Sequence, residues 1–383
     1  FSLPKFKSAT KTFGFVYNTC YQIHEIMISD KKLVNNKIFY LGDYKPLNIF
    51  DWANSISIIM KNKNVIPKEL MDYTDRFLEQ AKKFNKYGNN KDKNIEGYDS
   101  KYDYGGSGDL TSEQDLFDLA AATQEIYEIM FDRVIKLAHR TVSFTENLVL
   151  MGGCALNCKA NSMITTNYGF KDIWIMPNPG DAGSCIGVAQ KYNTDNWTLD
   201  WKTPYLGYNI EGEYPVEKSL KALLDGEIIG IANGRAEFGP RALGNRTLTA
   251  DPRGPLVKDK MNEIKHRQKF RPFAPMILEE DVHEYFEMPE NIKQSPYMQF
   301  VAKCKFPKEF PAIVHVDNTS RVQTVNQLQH PDLYLLLSSF KAETGCPMLV
   351  NTSLNIKGKP IVNDEQDAID FSKHYNVKVF TSD

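Results

Sequence analysis

The chain predicts an α/β protein, and three observations predict it: short apolar runs that end in glycine turns, helical periodicity between such runs, and a length of 383 residues. That length exceeds what one ordinary hydrophobic core serves, so two domains follow. Strands that end in glycine turns before helices are the α/β pattern, and in such sheets ligands bind where the strands end.

Taken in order, residues 82–94 (KKFNKYGNNKDKN) are polar and aperiodic, and Tyr104-Gly105-Gly106-Ser107-Gly108 follows, which together read as a solvated loop. Thr111-Ser112-Glu113-Gln114 is a capping box that opens a long helix, because Leu116, Leu119, Ala120, Thr123, Ile126, Tyr127, Met130, Val134 and Leu137 recur at helical spacing. Leu148-Val149-Leu150-Met151 predicts a buried strand running into Gly152-Gly153-Cys154-Ala155-Leu156-Asn157. Ile173-Trp174-Ile175-Met176 predicts a second, ending in Pro177-Asn178-Pro179-Gly180-Asp181-Ala182-Gly183. The polar, aromatic stretch from Asn196 to Tyr208 marks a boundary, giving domains 1–203 and 204–383. Ile228-Ile229-Gly230-Ile231-Ala232 is a third buried strand, and Met348-Leu349-Val350 a fourth.

Hydrophobic residues make up 42% and charged residues 25% of the chain, the balance of a globular protein. A net charge of -2 creates no global field towards nucleic acid or an anionic membrane. There is no apolar run long enough to span a bilayer, and the opening Phe1-Ser2-Leu3-Pro4-Lys5 has no signal-peptide pattern. The expectation is a cytoplasmic protein without a membrane partner. Six cysteines spread over the chain suit a reducing setting, and Cys154 and Cys158, lacking a second Cys/His pair for zinc, read as small packing residues.

The segments Gly234–Arg246 (GRAEFGPRALGNR) and Lys265–Pro275 (KHRQKFRPFAP) set cations beside Gly, Pro and apolar anchors. Guanidinium and ammonium groups on stiff backbone suit a polyanion such as a nucleoside triphosphate. Lys265-x-Arg267 and Ser353-x-Asn355 form the most specific constellation, since alternation in extended segments puts each pair on one side. Two cations facing a hydroxyl and an amide bind phosphate oxygens and orient a small planar group. Arg241, Arg271 and Arg321 supply the further charge that a departing pyrophosphate requires. Alone, each is an ordinary surface cation, and Asn351-Thr352-Ser353 is an ordinary turn or sequon. Their combination carries the inference.

In the first domain, Gly152-Gly153 after a strand, with Asn157 behind it, lets backbone amides approach phosphates, although the same pattern alone is a turn. Asp181 has two readings, a turn residue bonding its own backbone or a metal ligand.

The segments GRAEFGPRALGNRTLTADPR, IKHRQKFRPFAP, SRVQTV and PMLVNTSLN, with MGGCALNCKAN and PNPGDAGSCIG, resemble the signature segments of the NodU/CmcH family of O-carbamoyltransferases. The resemblance covers the chain from about Phe117 onward, and Gly42-Asp43-Tyr44-Lys45 resembles a further segment. It implies a partial actin-like (ASKHA, Kae1-like) domain followed by a YrdC-like twisted α/β domain. It also implies that the second domain makes carbamoyl adenylate from carbamoyl phosphate and ATP with Mg2+, and that the first passes the carbamoyl group to an acceptor hydroxyl beside a divalent metal such as iron. Arg241, Lys265, Arg267, Arg271 and Arg321 would then neutralise phosphates, and Ser353 and Asn355 would orient carbamate. Gly152, Gly153, Asn157, Gly180, Gly183 and Asn351 are assigned to the nucleotide, and Asp181 to the metal. Two departures stand out. Gln268 replaces the usual Glu, and none of the seven histidines forms the pair that supplies the family's remaining metal ligands, from which an absent amino-terminal part is expected. The acceptor is a small-molecule hydroxyl or a hydroxymethylated pyrimidine in phage DNA; a nucleotide-binding module without turnover is the non-enzymatic alternative. The sequence carries no signal for oligomeric state.

Overall fold

The structure, a computed structural model, describes residues 113–141, 146–164, 168–187, 201–289, 292 and 294–383. Residues 82–94, Gly42–Lys45, Tyr104–Gly108 and Thr111-Ser112 lie outside the described residues. The chain divides into two units, Phe1–Met130 and Phe131–Asp383. Of the first, only the opening part of helix α1 (Glu113–Thr141) is described.

The second unit begins in the later turns of α1, where Phe131 and Ile135, one turn apart, pack against Ile164 and Phe170. Val134, which the apolar periodicity puts on the buried stripe, is instead 61% exposed. His139 stands edge-on to Phe170 with ring centroids 5.4 Å apart, a packing histidine. Strands β1 (Asn147–Leu150) and β2 (Asp172–Ile175) pair in parallel, Leu150 beside Ile175. Both predicted strands form, but neither is fully buried: Val149 is 59% and Trp174 37% exposed. Among the described residues these strands pair only with each other, so alternate side chains point away from the packed face. Between them lie a 3-10 turn, Gly153–Leu156, and a single helical turn, α2 (Cys158–Asn161); another 3-10 turn, Asp181–Ser184, follows β2.

From residue 201 the chain runs β3 (Tyr205–Ile210), α3 (Val216–Leu224), β4 (Ile229–Ala232), β5 (Gly234–Glu237) and β6 (Arg246–Thr249). It continues through α4 (Val257–Ile264), β7 (Ala274–Leu278), α5 (Val282–Tyr285), β8 (Phe286–Glu287), β9 (Phe300–Cys304) and β10 (Thr319–Val325). It closes with α6 (Pro331–Thr344), β11 (Met348–Ser353), α7 (Glu365–Tyr375) and β12 (Lys378–Phe380). One eight-stranded sheet has the order β12-β4-β6-β11-β7-β10-β9-β8, and β3 pairs with β5 apart from it. The pairs β12/β4 and β10/β7 are parallel, and the other pairs are antiparallel. This is the mixed α/β architecture that the sequence predicts.

The strands β4 and β7 are buried along their whole length, as continuous apolar runs inside a covered sheet require, and β6, although it reads Arg-Thr-Leu-Thr, is buried as completely between β4 and β11. Helix α6 packs on α3, β7 and β11 through Leu333, Leu336, Leu337 and Phe340, a stripe at helical spacing. Each such side chain contributes about 1.5–3 kcal/mol relative to exposure. The helix starts at Pro331, with His330 Nδ1 accepting the Leu333 N–H, and stops at Gly345, whose φ is 73°. Among the described residues no helix is long and apolar enough to cross a membrane.

Candidate active site

Lys265 caps the C-terminus of helix α4 with backbone that is still right-handed, and His266 then turns the chain with a left-handed φ of 50°. Lys-x-Arg is therefore a helix C-terminus and not the extended segment that its alternation predicts. The Asn355 N–H likewise bonds the Ser353 carbonyl at 2.9 Å, so Ser-x-Asn is a tight turn past the end of β11. Turn geometry brings the two motifs together where strand geometry was expected to. Lys265 is 5% exposed. Its Nζ donates to the carbonyls of Ser353 and Asn355 and to Asn355 Oδ1 at 3.1 Å, with Ser353 Oγ at 3.4 Å. Ser353 Oγ in turn donates to Asn355 Oδ1 at 2.6 Å. Burial pushes the Lys265 ammonium down to about 7, and the nearby Arg267 and Arg271 push the same way. The surrounding oxygens favour the charged form but do not reverse this.

The arginines continue the cluster. The Arg267 guanidinium lies over the Phe273 ring, 4.2 Å from its centroid, and donates from Nη2 to the Pro272 carbonyl at 3.2 Å. Burial, Arg271 and Arg321 together lower it to about 10. Arg241 is lowered to about 10 by burial and by Arg321. Arg321, on β10, is lowered by burial and by Arg271, while a hydrogen bond with the Cys158 side chain acts in the opposite direction. Cys158 is thus an arginine partner, and Cys154 is exposed, so neither is the buried packing residue that the sequence suggests. Among the described residues, none of these five cations is ion-paired with a carboxylate, and Arg321 Nε is buried with no acceptor. Like charges held this close lower one another's affinity for protons and favour an anion between them.

Three glycine turns close around this cluster. The Gly152 N–H donates to the Pro179 carbonyl at 2.7 Å, and a Cβ placed on Gly180 would stand 3.9 Å from the Gly153 Cα. Contact this close makes glycine necessary at two further points: a Cβ on Gly183 would stand 1.7 Å from the Asn178 carbonyl oxygen, and one on Gly239, whose φ is 148°, 2.5 Å from that of Pro177. The Gly152–Asn161 segment is fastened to the large sheet by Asn161 Nδ2 donating to the Gln299 carbonyl at 3.0 Å and by the Val301 N–H donating to Ser162 Oγ at 2.8 Å. Gln299 Nε2 reaches the Ile175 carbonyl at 3.0 Å. The phosphate-loop candidate and the strand next to Arg321 are therefore joined by side chains.

Not every predicted residue faces outward. Asn157 Oδ1 accepts the Ala160 N–H at 3.1 Å and caps α2. Asn351 is 1% exposed; its Nδ2 donates to the Ala242 carbonyl at 2.9 Å and to Gln323, and its Oδ1 accepts from Thr247 at 3.2 Å. It holds the Arg241 turn from inside the sheet. Asp181 is exposed at the start of its 3-10 turn. Among the described residues, no three His, Cys, Asp or Glu side chains gather closely enough to hold a metal ion. Asp181 alone does not make a metal site, so the described residues do not fit the divalent metal that the resemblance implies.

Three structural residues escape a sequence-based search. Glu237 Oε1 accepts the N–H groups of Leu243, Asn245 and Arg246 at 2.7, 2.9 and 3.2 Å, closing the turn that carries Arg241. Burial raises this carboxyl while the three N–H groups oppose the shift. Arg246 is wholly buried, and Asn262 lies beneath the Lys265–Arg271 segment. A Glu, an Arg and an Asn inside polar motifs look like surface residues in one dimension.

The carbamoyltransferase N-terminus family profile matches residues 43–190, and the carbamoyltransferase C-terminus profile matches 220–382. The nodulation protein NolNO of Sinorhizobium fredii is 36% identical over 282 residues, covering 66% of this chain and 41% of that protein. The 3'-hydroxymethylcephem-O-carbamoyltransferase of Amycolatopsis lactamdurans is 33% identical over 261 residues, covering 63% of this chain and 49% of that protein. The chain thus spans about half the length of the curated relatives it matches. A full-length HypF crystal structure, 21% identical, aligns with 44% of this chain and 21% of its own at a TM-score of 0.33. With both family profiles matched in order along its length, the chain belongs to the carbamoyltransferase family.

Proposed function

We propose that this protein is an ATP-dependent O-carbamoyltransferase, and the observation that carries the reading is a cluster of five cations without a carboxylate partner, one of them cradled by Ser353 and Asn355. Water cleaves the bond between the carbamoyl oxygen and phosphorus of carbamoyl phosphate, giving carbamate and inorganic phosphate. A carbamate oxygen then attacks the α-phosphorus of ATP, the bond to the β-phosphate breaks, and carbamoyl adenylate and pyrophosphate form. An acceptor hydroxyl attacks the carbamoyl carbon, AMP leaves, and the hydroxyl proton passes to solvent. Lys265, Arg267, Arg271, Arg321 and Arg241 neutralise the phosphates, and Ser353 and Asn355 orient the carbamate. The acceptor is a small-molecule hydroxyl, as the name of the cephem relative states for that enzyme. We keep residues 1–203 as the transfer domain and 204–383 as the adenylate-forming domain, working in the cytoplasm.

The test is pyrophosphate release, which requires ATP and carbamoyl phosphate together. Release that needs no carbamoyl phosphate contradicts the reading.

Binding also depends on pH in a defined direction. Free Lys265 loses its proton as pH rises through about 7, and only the ammonium form pairs with phosphate. ATP affinity therefore falls above this pH, by at most about tenfold per unit, and binding at about pH 8 takes up a proton. Calorimetry in buffers of different ionisation enthalpy measures that uptake, and proton release on binding contradicts the assignment.

A further inference from the structure

Asn262 lies in the last turn of α4, three residues before Lys265, and is fully buried. Its side chain makes no bond within its own helix and reaches forward into the segment that follows. Oδ1 accepts from Arg267 Nε at 2.6 Å. Nδ2 donates to the carbonyls of Lys269 and Arg271 at 3.2 and 3.0 Å. Its backbone carbonyl accepts the Arg267 N–H at 3.1 Å. One residue therefore holds three alternate positions of the loop. The outer side of the loop is at the surface: Lys269 and Arg271 are exposed, Phe270 is 55% exposed, and the Lys269 ion pair with Glu263 is an exposed contact of 3.4 Å, while inside the loop the Arg271 N–H donates to the Gln268 carbonyl at 3.2 Å. A surface pair of that kind fixes nothing.

The bond to Arg267 has a directional consequence. With Nε directed back to Asn262 and the ring plane stacked on Phe273, the Arg267 guanidinium has its rotation fixed, so the remaining N–H groups present one edge. Fixing the Arg271 carbonyl at the same time sets the point of the backbone from which the Arg271 side chain starts.

We propose that Asn262 is a positioning residue, which fixes Arg267 and Arg271 at the separation needed to bind the triphosphate. This inference rests on the functional reading above, because the ligand is the ATP of that reaction. Asn262→Ala removes all three side-chain bonds, and ATP affinity falls about ten- to a hundredfold, the effect of losing a buried bond to a charged group. Asn262→Asp keeps the acceptor for Arg267 but turns a carboxylate oxygen towards two carbonyls. It therefore separates the loop from the arginine if the Ala variant does not fold.

The deciding measurement is a double-mutant cycle on ATP binding by titration calorimetry, with thermal melting of each variant as the control for folding. Arg267→Ala is expected to cost at least about fivefold less in the Asn262→Ala background than in wild type, because the arginine has already lost its orientation, and about as much as in wild type in the Asn262→Asp background, where the acceptor is kept and only the loop carbonyls are released. If the Arg267→Ala loss is the same in all backgrounds, Asn262 does not position that arginine, and the inference fails while the functional reading stands. Wild-type protein that binds no ATP overturns both.

Discussion

Lys265→Ala is expected to lower the pyrophosphate release that depends on carbamoyl phosphate by at least about a thousandfold, because in the proposed reaction it removes the cation at which carbamate and phosphate meet. The loss is catalytic. Ser353 Oγ and Asn355 Oδ1 still bond each other, and Asn355 Nδ2 still reaches the Lys359 carbonyl at 3.0 Å, so the turn keeps its shape without the ammonium. Stability carries a separate signature. The Lys265 pKa is lowered from 10.5 to about 7 in the folded protein, so between these values the unfolded chain binds more protons and wild-type stability rises with pH. The Ala variant lacks that rise. Melting curves at several pH values, beside the pyrophosphate assay, separate the two effects. Lys265→Arg does not restore activity, since a planar guanidinium cannot occupy a nest shaped by four oxygens around one nitrogen. Pyrophosphate release retained in Lys265→Ala removes this residue from the site.

The chemistry of this region is legible in one dimension where side-chain type alone matters. Cations beside glycine and proline, a serine and asparagine after an apolar run, and paired glycines after strands mark the segments that the fold brings together. The local shape is not legible. An alternating Lys-x-Arg looks extended, yet Lys265 caps helix α4 with right-handed backbone, and His266 then takes a left-handed conformation that few residues other than glycine adopt. Nor does sequence separate an arginine that meets ligand from one that meets carbonyls. Arg241 and Arg246 stand five residues apart in one motif; the first belongs to the cation cluster, and the second points into the protein. The apolar runs of β1 and β2 mislead for another reason, since residue type predicts that a strand forms but its burial depends on which elements cover its two faces.

Arg246→Ala destabilises the Phe131–Asp383 unit by about 3–5 kcal/mol, the effect of breaking a buried charged network. Its guanidinium is 0% exposed and donates to five carbonyls, those of Asn233, Gly234, Asn245, Tyr208 and Asn363. They come from β3, from the β4–β5 connection, from the start of β6 and from the segment before α7. The side chain is thus a bracket across the sheet edge where the Arg241 turn is anchored. Burial lowers its pKa while Glu237 opposes the shift, and Glu237 itself closes that turn. Ala leaves the five carbonyls facing one another in a space where water restores only some of the bonds, and a melting temperature lower by about 10 °C follows for a unit of this size. Arg246→Lys recovers a small part, because three donors replace the fixed fork of five. The activity of the molecules that remain folded distinguishes bracket from ligand contact. At a temperature below both transitions, Arg246→Ala keeps an ATP affinity within a few-fold of wild type, whereas Arg321→Ala, with its Nε buried and without an acceptor, loses about a hundredfold with little change in melting. If the two variants exchange these behaviours, the division between structural and ligand-facing arginines is wrong, and the cation cluster must be redrawn around Arg246.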